Sequence, residues 1–168
     1  ARARMLAGMP MSVLHEVTDA VRLNEGADKL LAALHHFGYR TAVISGGFQY
    51  VGERLREQLG INYVYANELK AEGDHLTGEV VGEIIDAQRK AELLREIAKR
   101  ESIAFQQTIA IGDGANDLPM LASAGLGVAY HAKPVVRESA GHAISNFGLD
   151  SVLYLMGFTD TDIDQALA

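Results

Sequence analysis

The feature that most constrains this chain is an alternation of short apolar runs with amphipathic stretches. Two of the apolar runs, 41–44 and 108–111, have the length and pattern of buried strands. A glycine-containing polar turn follows each of them directly, at 45–47 and at 112–117, and leads into a stretch with helical spacing. Strands that alternate with helices predict an α/β fold with a parallel sheet, helices on both faces, and chemistry at the C-terminal ends of the strands.

The rest of the chain continues this alternation. The spacing of apolar residues predicts helices at 12–21, 27–37, from the 45–47 turn to 59, 87–100, 117–124, near 134 and at 149–156. It also predicts strands at 62–67, 126–129 and 143–144, and a hairpin over 69–81. Ser12 is expected to cap its helix, and the acidic segment 160–164 is expected to be solvated.

Composition narrows the class of protein. With 168 residues, of which 48% are hydrophobic and 22% charged, the chain is expected to fold around one ordinary globular core. The formal net charge of -7 repels phosphate backbones and disfavours nucleic acid as a partner. The absence of cysteine excludes disulfides and thiolate chemistry, and no run of 18 apolar residues is present to span a membrane. We therefore expect a soluble, cytoplasmic protein.

The turn Gly-Asp-Gly-Ala-Asn-Asp at 112–117 is the most specific local signal. Asp113, Asn116 and Asp117 offer two carboxylates and an amide, which are oxygen ligands that suit a hard cation such as Mg²⁺. Asp117 stands where a dinucleotide-binding motif requires its last glycine or alanine, and Leu118 stands where an EF-hand loop requires glycine. The structural alternative is an aspartate that caps a helix beside a turn glycine.

The earlier turn and a lysine complete a candidate phosphate site. Ser45, Gly46 and Gly47 present a hydroxyl and backbone N–H groups at a predicted helix start, although Ser45 could simply cap that helix. Lys90 alone reads as an ordinary surface lysine. A phosphoryl group held by Ser45 and by a metal on Asp113 needs a further cation, which Lys90 supplies. The six histidines show no metal-ligand spacing and receive no role.

Taken together, the turn at 45–47, Lys90 and the turn at 112–117 resemble the second, third and fourth motifs of haloacid dehalogenase phosphatases. Further stretches resemble phosphoserine phosphatases in particular, namely 6–10, 38–47, 76–82, 108–127 and 132–134. The resemblance implies a Rossmann-like core with a small helical cap, so that residues 1–22 would be the end of the cap and 23–168 the phosphatase core. It also implies that a Mg²⁺-bound aspartate attacks phosphorus and that the aspartyl-phosphate is then hydrolysed.

The resemblance assigns roles to seven residues of this chain: a metal ligand, catalytic groups beside it, and groups that bind the substrate. The metal ligand is Asp113, and the catalytic groups are Lys90 and Asp117. The substrate-binding groups are Arg2, Ser45, Gly46, Lys90 and Asn116. Asp117 would support the metal site and Lys90, while Asn116 would contact the substrate. Arg2 would bind the substrate carboxylate through paired hydrogen bonds, although spacing alone leaves Arg2 and Arg4 as ordinary surface charges.

One motif of the resembled family is missing. Residues 1–168 contain no apolar strand that ends in Asp-x-Asp-x-Thr, the motif that supplies the nucleophile and one metal ligand. The segment 160–164 has similar letters but follows a helix. We expect that motif in an upstream segment of the same polypeptide, together with the central strand of the sheet. The present piece alone is therefore expected to fold poorly and to be nearly inactive.

The expected activity is Mg²⁺-dependent hydrolysis of O-phosphoserine to serine and phosphate, the last step of serine biosynthesis. Two alternatives stay open at this point: a phosphatase for another small phosphomonoester, and a non-catalytic phosphate-binding regulatory module. The expected partners are O-phosphoserine and the missing N-terminal segment, with neither nucleic acid nor membrane. A homodimer is compatible with the resemblance, because family members often dimerise.

Overall fold

The computed structural model describes residues 3–168, which divide into two units. The first unit combines the chain up to Ile84 with Val152–Ala168, and the second is Ile85–Ser151. Each unit contains one three-stranded sheet with helices beside it in the chain. The predicted α/β class is confirmed. The predicted boundary between a cap and a core after residue 22 stays a prediction.

The elements are as follows. The first unit opens with α1 (Ser12–Ala20), α2 (Ala27–His36), β1 (Ala42–Phe48), α3 (Gln49–Leu59), β2 (Tyr63–Glu72) and β3 (His75–Val81). The second contains α4 (Ala87–Arg100), β4 (Ile109–Gly112), α5 (Leu118–Ser123), β5 (Leu126–Tyr130), α6 (Pro134–Ser139) and β6 (His142–Ile144). The chain ends with α7 (Val152–Leu155) and α8 (Asp160–Leu167), which belong to the first unit. Single 3-10 turns lie at Ala3–Leu6, Phe105–Gln107, Ala115–Asp117 and Leu149–Ser151.

The sheet of the first unit is mixed. Strand β1 runs parallel to β2, with Ala42 opposite Tyr63, and β2 then continues into an antiparallel pair with β3. The two residues 73–74 connect β2 to β3, so the predicted hairpin is confirmed. Helix α3 ends where Gly60 adopts a left-handed backbone with φ of 68°, as the sequence predicts. A single strand, β2, therefore belongs both to the parallel pair and to the hairpin.

The start of α1 differs from the prediction. Ser12 is the first helical residue, and the preceding Met11 caps the helix without a side-chain hydrogen bond. The reason is tertiary, because the Met11 N–H donates to the Asp74 carbonyl at 2.9 Å and thereby fixes where the chain enters the helix. The predicted Ser12 cap is therefore wrong.

The second unit has an all-parallel sheet in the order β4-β5-β6, with Ile109 opposite Leu126 and Val128 opposite His142. Its central strand β5 is apolar throughout, and Val128 and Ala129 have no exposed surface, as is typical of a parallel strand covered on both faces. Helix α4 begins where the Asp86 side chain accepts a hydrogen bond from the Arg89 N–H at 2.8 Å. The carboxyl end of β4 therefore lies next to a buried central strand.

The acidic end of the chain forms a helix in which Asp160 and Asp164 are exposed, as the prediction of a solvated segment requires. Residues 160–164 lie in α8, whose Ile163 side chain is 2% exposed. Next to the helix, Phe158 stacks on Phe37 with a centroid separation of 4.3 Å. The apolar residues at this end bury surface against the first unit's own helices, while the acidic face of α8 stays in water. Within residues 3–168, no helix is both long and apolar enough to cross a bilayer.

Candidate active site

The turn at 45–47 is a bulge in a strand and does not begin the following helix. Ile44 pairs with Tyr65 and Phe48 with Asn67, so β1 takes four residue steps where β2 takes two. The extra residues therefore leave the ladder between these two pairs. The predicted strand end at Ile44 is wrong, because Phe48 rejoins β2 and α3 begins only at Gln49.

The bulge is held by its own hydroxyl and by β2. The Gly47 N–H donates to Ser45 Oγ at 3.0 Å, so Ser45 closes a local turn and does not cap α3, whose cap residue is Phe48. The Asn67 amide donates to the Gly46 carbonyl at 2.9 Å from a side chain on a residue that is only 7% exposed. Asn67 was not singled out from the sequence. The only available signal was a polar amide in a predicted strand.

The second turn is organised around one buried ion pair. Lys90 Nζ on α4 lies 2.7 Å from Asp117 Oδ1, and the two side chains are 6% and 8% exposed. The other carboxylate oxygen, Oδ2, accepts the N–H of Asp113 at 3.2 Å and the N–H of Gly114 at 3.1 Å. Asp117 thus fixes both the ammonium group of Lys90 and the backbone that leads out of β4.

Gly112 makes this turn sterically possible. A methyl group built on Gly112 would lie 2.5 Å from the Asp117 Cβ and 2.6 Å from its Oδ2. Carbon atoms in ordinary contact are about 3.5–4.0 Å apart, so any side chain at this position would displace the buried carboxylate. The glycine at the end of β4 is therefore required by the close approach of Asp117.

Unlike Asp117, the other two polar residues of the turn, Asp113 and Asn116, are not buried. Both residues are exposed, and within residues 3–168 no hydrogen bond or ion pair engages the Asp113 carboxylate. The described part of the chain contains no group of three or more acidic or histidine side chains that could hold a metal. Mg²⁺ is commonly held by one or two carboxylates together with water and substrate phosphate. The donors present here therefore fit as one part of such a site, with Asp113 as the ligand that is available.

The structure thus forms two hydrogen-bonded clusters from the predicted residues. Ser45 and Gly46 lie together in the first unit, while Lys90, Asp113 and Asp117 share one network in the second. Asn116 lies in the 3-10 turn of that second network. Arg2 is outside the described residues.

The sequence of residues 1–122 matches the family model of haloacid dehalogenase-like hydrolases. The chain belongs to this family. Among curated proteins, it is 49% identical to the phosphoserine phosphatase of Streptomyces coelicolor over 166 residues, which are 99% of this chain and 40% of that protein. The chain therefore spans well under two thirds of that relative.

Solved structures give the same picture. The crystal structure of a probable phosphoserine phosphatase from Vibrio cholerae, in an unliganded form, superposes with a TM-score of 0.89 at 40% identity over 99% of this chain and 50% of that one. A substrate-bound phosphoserine phosphatase complex superposes with a TM-score of 0.87 at 37% identity, covering 92% of this chain and 73% of that one. These likenesses confirm the predicted fold family.

Proposed function

We propose that the protein containing this chain is a phosphoserine phosphatase, which hydrolyses O-phosphoserine to serine and phosphate and so completes serine biosynthesis. The observation that most supports the proposal is the contrast between the two carboxylates of the 113–117 turn. Asp117 is buried on Lys90 and on backbone N–H groups, whereas the carboxylate of Asp113, four residues earlier, belongs to an exposed residue and has no partner among residues 3–168. A purely structural turn has no need of the second carboxylate.

In this proposal each group that binds the phosphoryl group is held by contacts within its own unit. The Ser45 hydroxyl and the Gly46 backbone contact its oxygens, and the bulge held by Asn67 sets their direction. The ammonium group of Lys90 neutralises charge that develops on those oxygens, and its ion pair with Asp117 holds it in place. Asn116 contacts the substrate, and Arg2 grips the carboxylate of phosphoserine through two parallel hydrogen bonds.

The family requires a divalent metal, and we propose Mg²⁺ with Asp113 as the ligand from this chain. When bound, the metal neutralises phosphoryl oxygens and the attacking carboxylate. Asp117 orients the turn by holding the N–H groups of Asp113 and Gly114. The proposal assigns the attacking aspartate and the remaining protein ligand to the family's first motif, which residues 1–168 do not contain.

The substrate assignment is tested by phosphate release from O-phosphoserine with Mg²⁺, using the full-length protein and two arginine variants. We expect Arg2→Ala to lower kcat/KM for phosphoserine by roughly 100-fold, because a charge-assisted pair contributes about 1.5–3 kcal/mol and tenfold corresponds to 1.4 kcal/mol. Phosphoethanolamine, which has no carboxylate, should be hydrolysed equally well by the wild type and by Arg2→Ala. Arg4→Ala is the matched control, since Arg4 is an exposed arginine two residues away.

Three other outcomes would count against the proposal. Equal loss on both substrates would remove Arg2 from the carboxylate site and point to another phosphomonoester. An effect of Arg4→Ala as large as that of Arg2→Ala would make the role one of general charge. Phosphate binding without turnover by the full-length protein would support a binding module in place of an enzyme.

A further inference from the structure

The hairpin of β2 and β3 has a third backbone segment on its outer edge. The Gly8 N–H donates to the Leu76 carbonyl at 2.8 Å, and the Leu76 N–H donates to the Met9 carbonyl at 2.8 Å. The Met11 N–H reaches the Asp74 carbonyl at 2.9 Å, and residues 10 and 75 form an antiparallel bridge. Residues 8–11 are thus added to β3 like a short extra strand, and Leu76, at the centre of the contact, is 2% exposed.

Gly78 fits the preceding turn of this segment closely. A methyl group built on Gly78 would lie 2.8 Å from the Ala7 Cβ, 3.2 Å from the Arg4 Cα and 3.3 Å from the Ala7 Cα. All three distances are shorter than an ordinary carbon contact of about 3.5–4.0 Å. The 3-10 turn Ala3–Leu6 and Ala7 therefore rest on a surface of β3 that only glycine leaves open.

The same sheet also holds the bulge at 45–47. Asn67, whose amide binds the Gly46 carbonyl, lies on β2, and the next residue, Glu68, already pairs with Val81 of β3. One continuous strand therefore joins the bulge to the hairpin on which residues 3–11 rest. The three atoms nearest to a methyl group on Gly78 all belong to the 3–11 segment, so a substitution there acts on that segment and meets no residue of the bulge first.

We propose that the β2–β3 hairpin positions the segment that follows Arg2, with Gly78 as a positioning residue that sets affinity for the carboxylate end of the substrate. This inference rests on the proposed function, in which Arg2 binds that carboxylate. Arg2 is one residue before the turn that rests on Gly78, so a shift of this turn is transmitted along the backbone over a few bonds.

The kinetic test uses the full-length protein with Gly78→Ala. The added methyl group must push Ala7 and Arg4 away, so we expect KM for O-phosphoserine to rise roughly 10-fold to 100-fold, the range produced by displacements near 1 Å. The kcat for O-phosphoserine and the kcat/KM for phosphoethanolamine should stay within about twofold, because groups that act on the phosphoryl centre are unchanged. This split separates positioning from a general loss of folded enzyme.

Gly82→Ala is the matched control. Gly82 has a left-handed backbone with φ of 73°, close to the 82° of Gly78, but a methyl group there meets nothing within 4 Å. Both substitutions therefore carry similar backbone strain, and only one meets the 3–11 segment. Ala7→Gly in the Gly78→Ala background removes the nearest clash and is expected to restore part of the KM. Ala7→Val acts on the same contact from the exposed side and should raise KM even where Gly78→Ala fails to fold.

Hydrogen exchange of the Gly8, Met11 and Leu76 amides tests the docking without substrate. We expect faster exchange at these three amides in Gly78→Ala than in Gly82→Ala. Equal KM values for the two variants, or a fall in kcat with KM unchanged, would overturn the positioning role. A wild-type protein that does not hydrolyse O-phosphoserine would overturn the proposed function and with it the substrate role. In that case the exchange difference alone would still decide whether Gly78 holds the 3–11 segment.

Discussion

The buried position of Lys90 requires a charged partner, which is Asp117, 27 residues away in the sequence. A lysine that is 5% exposed would lose much of the hydration of its charge, so it must be paired or neutral. Asp117 supplies the paired charge at 2.7 Å, and its second oxygen is used by two backbone N–H groups. The ion pair therefore joins α4 to the turn after β4 inside the second unit.

Removing one member of this pair should destabilise the protein strongly. We expect Lys90→Met and Asp117→Asn each to lower the free energy of unfolding by about 3–5 kcal/mol, since each leaves a buried charge without its counter-charge. Urea denaturation of the full-length protein measures the loss. Lys99→Met, at an exposed position of the same helix, should stay within about 0.5 kcal/mol of the wild type. A double variant whose loss equals the sum of the two single losses would show that the pair is not coupled.

A substitution of Asp113, four residues before Asp117, should affect activity strongly and stability very little. Asp113→Asn removes the charge of an exposed carboxylate that no residue within 3–168 engages, so the free energy of unfolding should change by less than about 0.5 kcal/mol. If Asp113 is the metal ligand, kcat/KM should fall by roughly 100-fold or more, and the Mg²⁺ concentration for half-maximal activity should rise.

The control for this change is Asp164→Asn on α8, which also removes one exposed acidic charge. It should alter neither activity nor Mg²⁺ dependence. A full-length Asp113→Asn protein that keeps wild-type activity and Mg²⁺ dependence would remove Asp113 from the metal site, whatever its stability.

At the scale of elements, the sequence was most informative where an element is specified locally. Helix α4 has the predicted bounds because the Asp86 cap and the apolar spacing are both contained in the segment. The end of α3 was predicted because Gly60 is a local stop. The bulge at 45–47 could not be predicted, since it exists only through the pairing of Phe48 with Asn67 on another strand. The support from Asn67 was missed for the same reason.

The candidate site follows the same rule. Asp113, Asn116 and Asp117 were found because they share one turn, and Lys90 was added because a phosphoryl group bound there needs a further cation. The burial of Lys90 on Asp117 and the role of Gly78 depend on contacts between distant segments. A sequence pattern records neither contact, and only the family resemblance distinguished the two aspartates of the turn, by implying that Asp117 supports Lys90 and that Asp113 binds the metal.

Helix α8 offers a test at the element scale. The Asp162 carboxylate accepts hydrogen bonds from the Thr159 hydroxyl and from the Thr159 backbone N–H. These bonds hold the pKa of Asp162 below its ordinary value, and the hydroxyl has the larger effect. A lowered folded-state pKa stabilises the helix above about pH 4, the ordinary Asp value, and this contribution is lost as pH falls through the lowered pKa. The capping box at the start of α8 should therefore weaken in acid.

We expect Thr159→Ala to raise the pKa of Asp162 only part of the way, because the backbone N–H of residue 159 still donates to the carboxylate. The melting temperature at neutral pH should fall by roughly 2–4 °C, as for the loss of a helix cap in a domain of this size. An NMR titration of the Asp162 carboxyl group measures the pKa. Thr161→Ala, inside the same helix, is the control and should leave the titration unchanged. Identical titrations in all three proteins would exclude the cap as the cause.

At the scale of the whole molecule, each unit has a parallel strand without charged residues at an edge of its sheet, namely β1 in the first unit and β4 in the second. Within residues 3–168, β1 pairs only with β2, and β4 pairs only with β5. Parallel strands are normally buried on both faces and paired on both sides in α/β proteins, and an open apolar edge is a template for association with other chains. Val43 in β1 and Ile109 in β4 are half-buried and apolar, so neither edge has the charged residues that protect a natural edge strand.

These edges predict how the 168-residue chain behaves by itself. Compared with the full-length protein at equal concentration, it should elute as aggregate or oligomer in size-exclusion chromatography. Its β1 and β4 amides should exchange faster, because each strand lacks a neighbour on one side. Phosphate release from O-phosphoserine should be at least about 10⁴-fold slower, since the chain contains no first motif to supply a nucleophile. A monomeric 168-residue chain with protected β1 and β4 amides would show that the two edges are covered within this chain. Turnover near the full-length rate would place the nucleophile among residues 1–168 and overturn the assignment of the attacking aspartate to another segment.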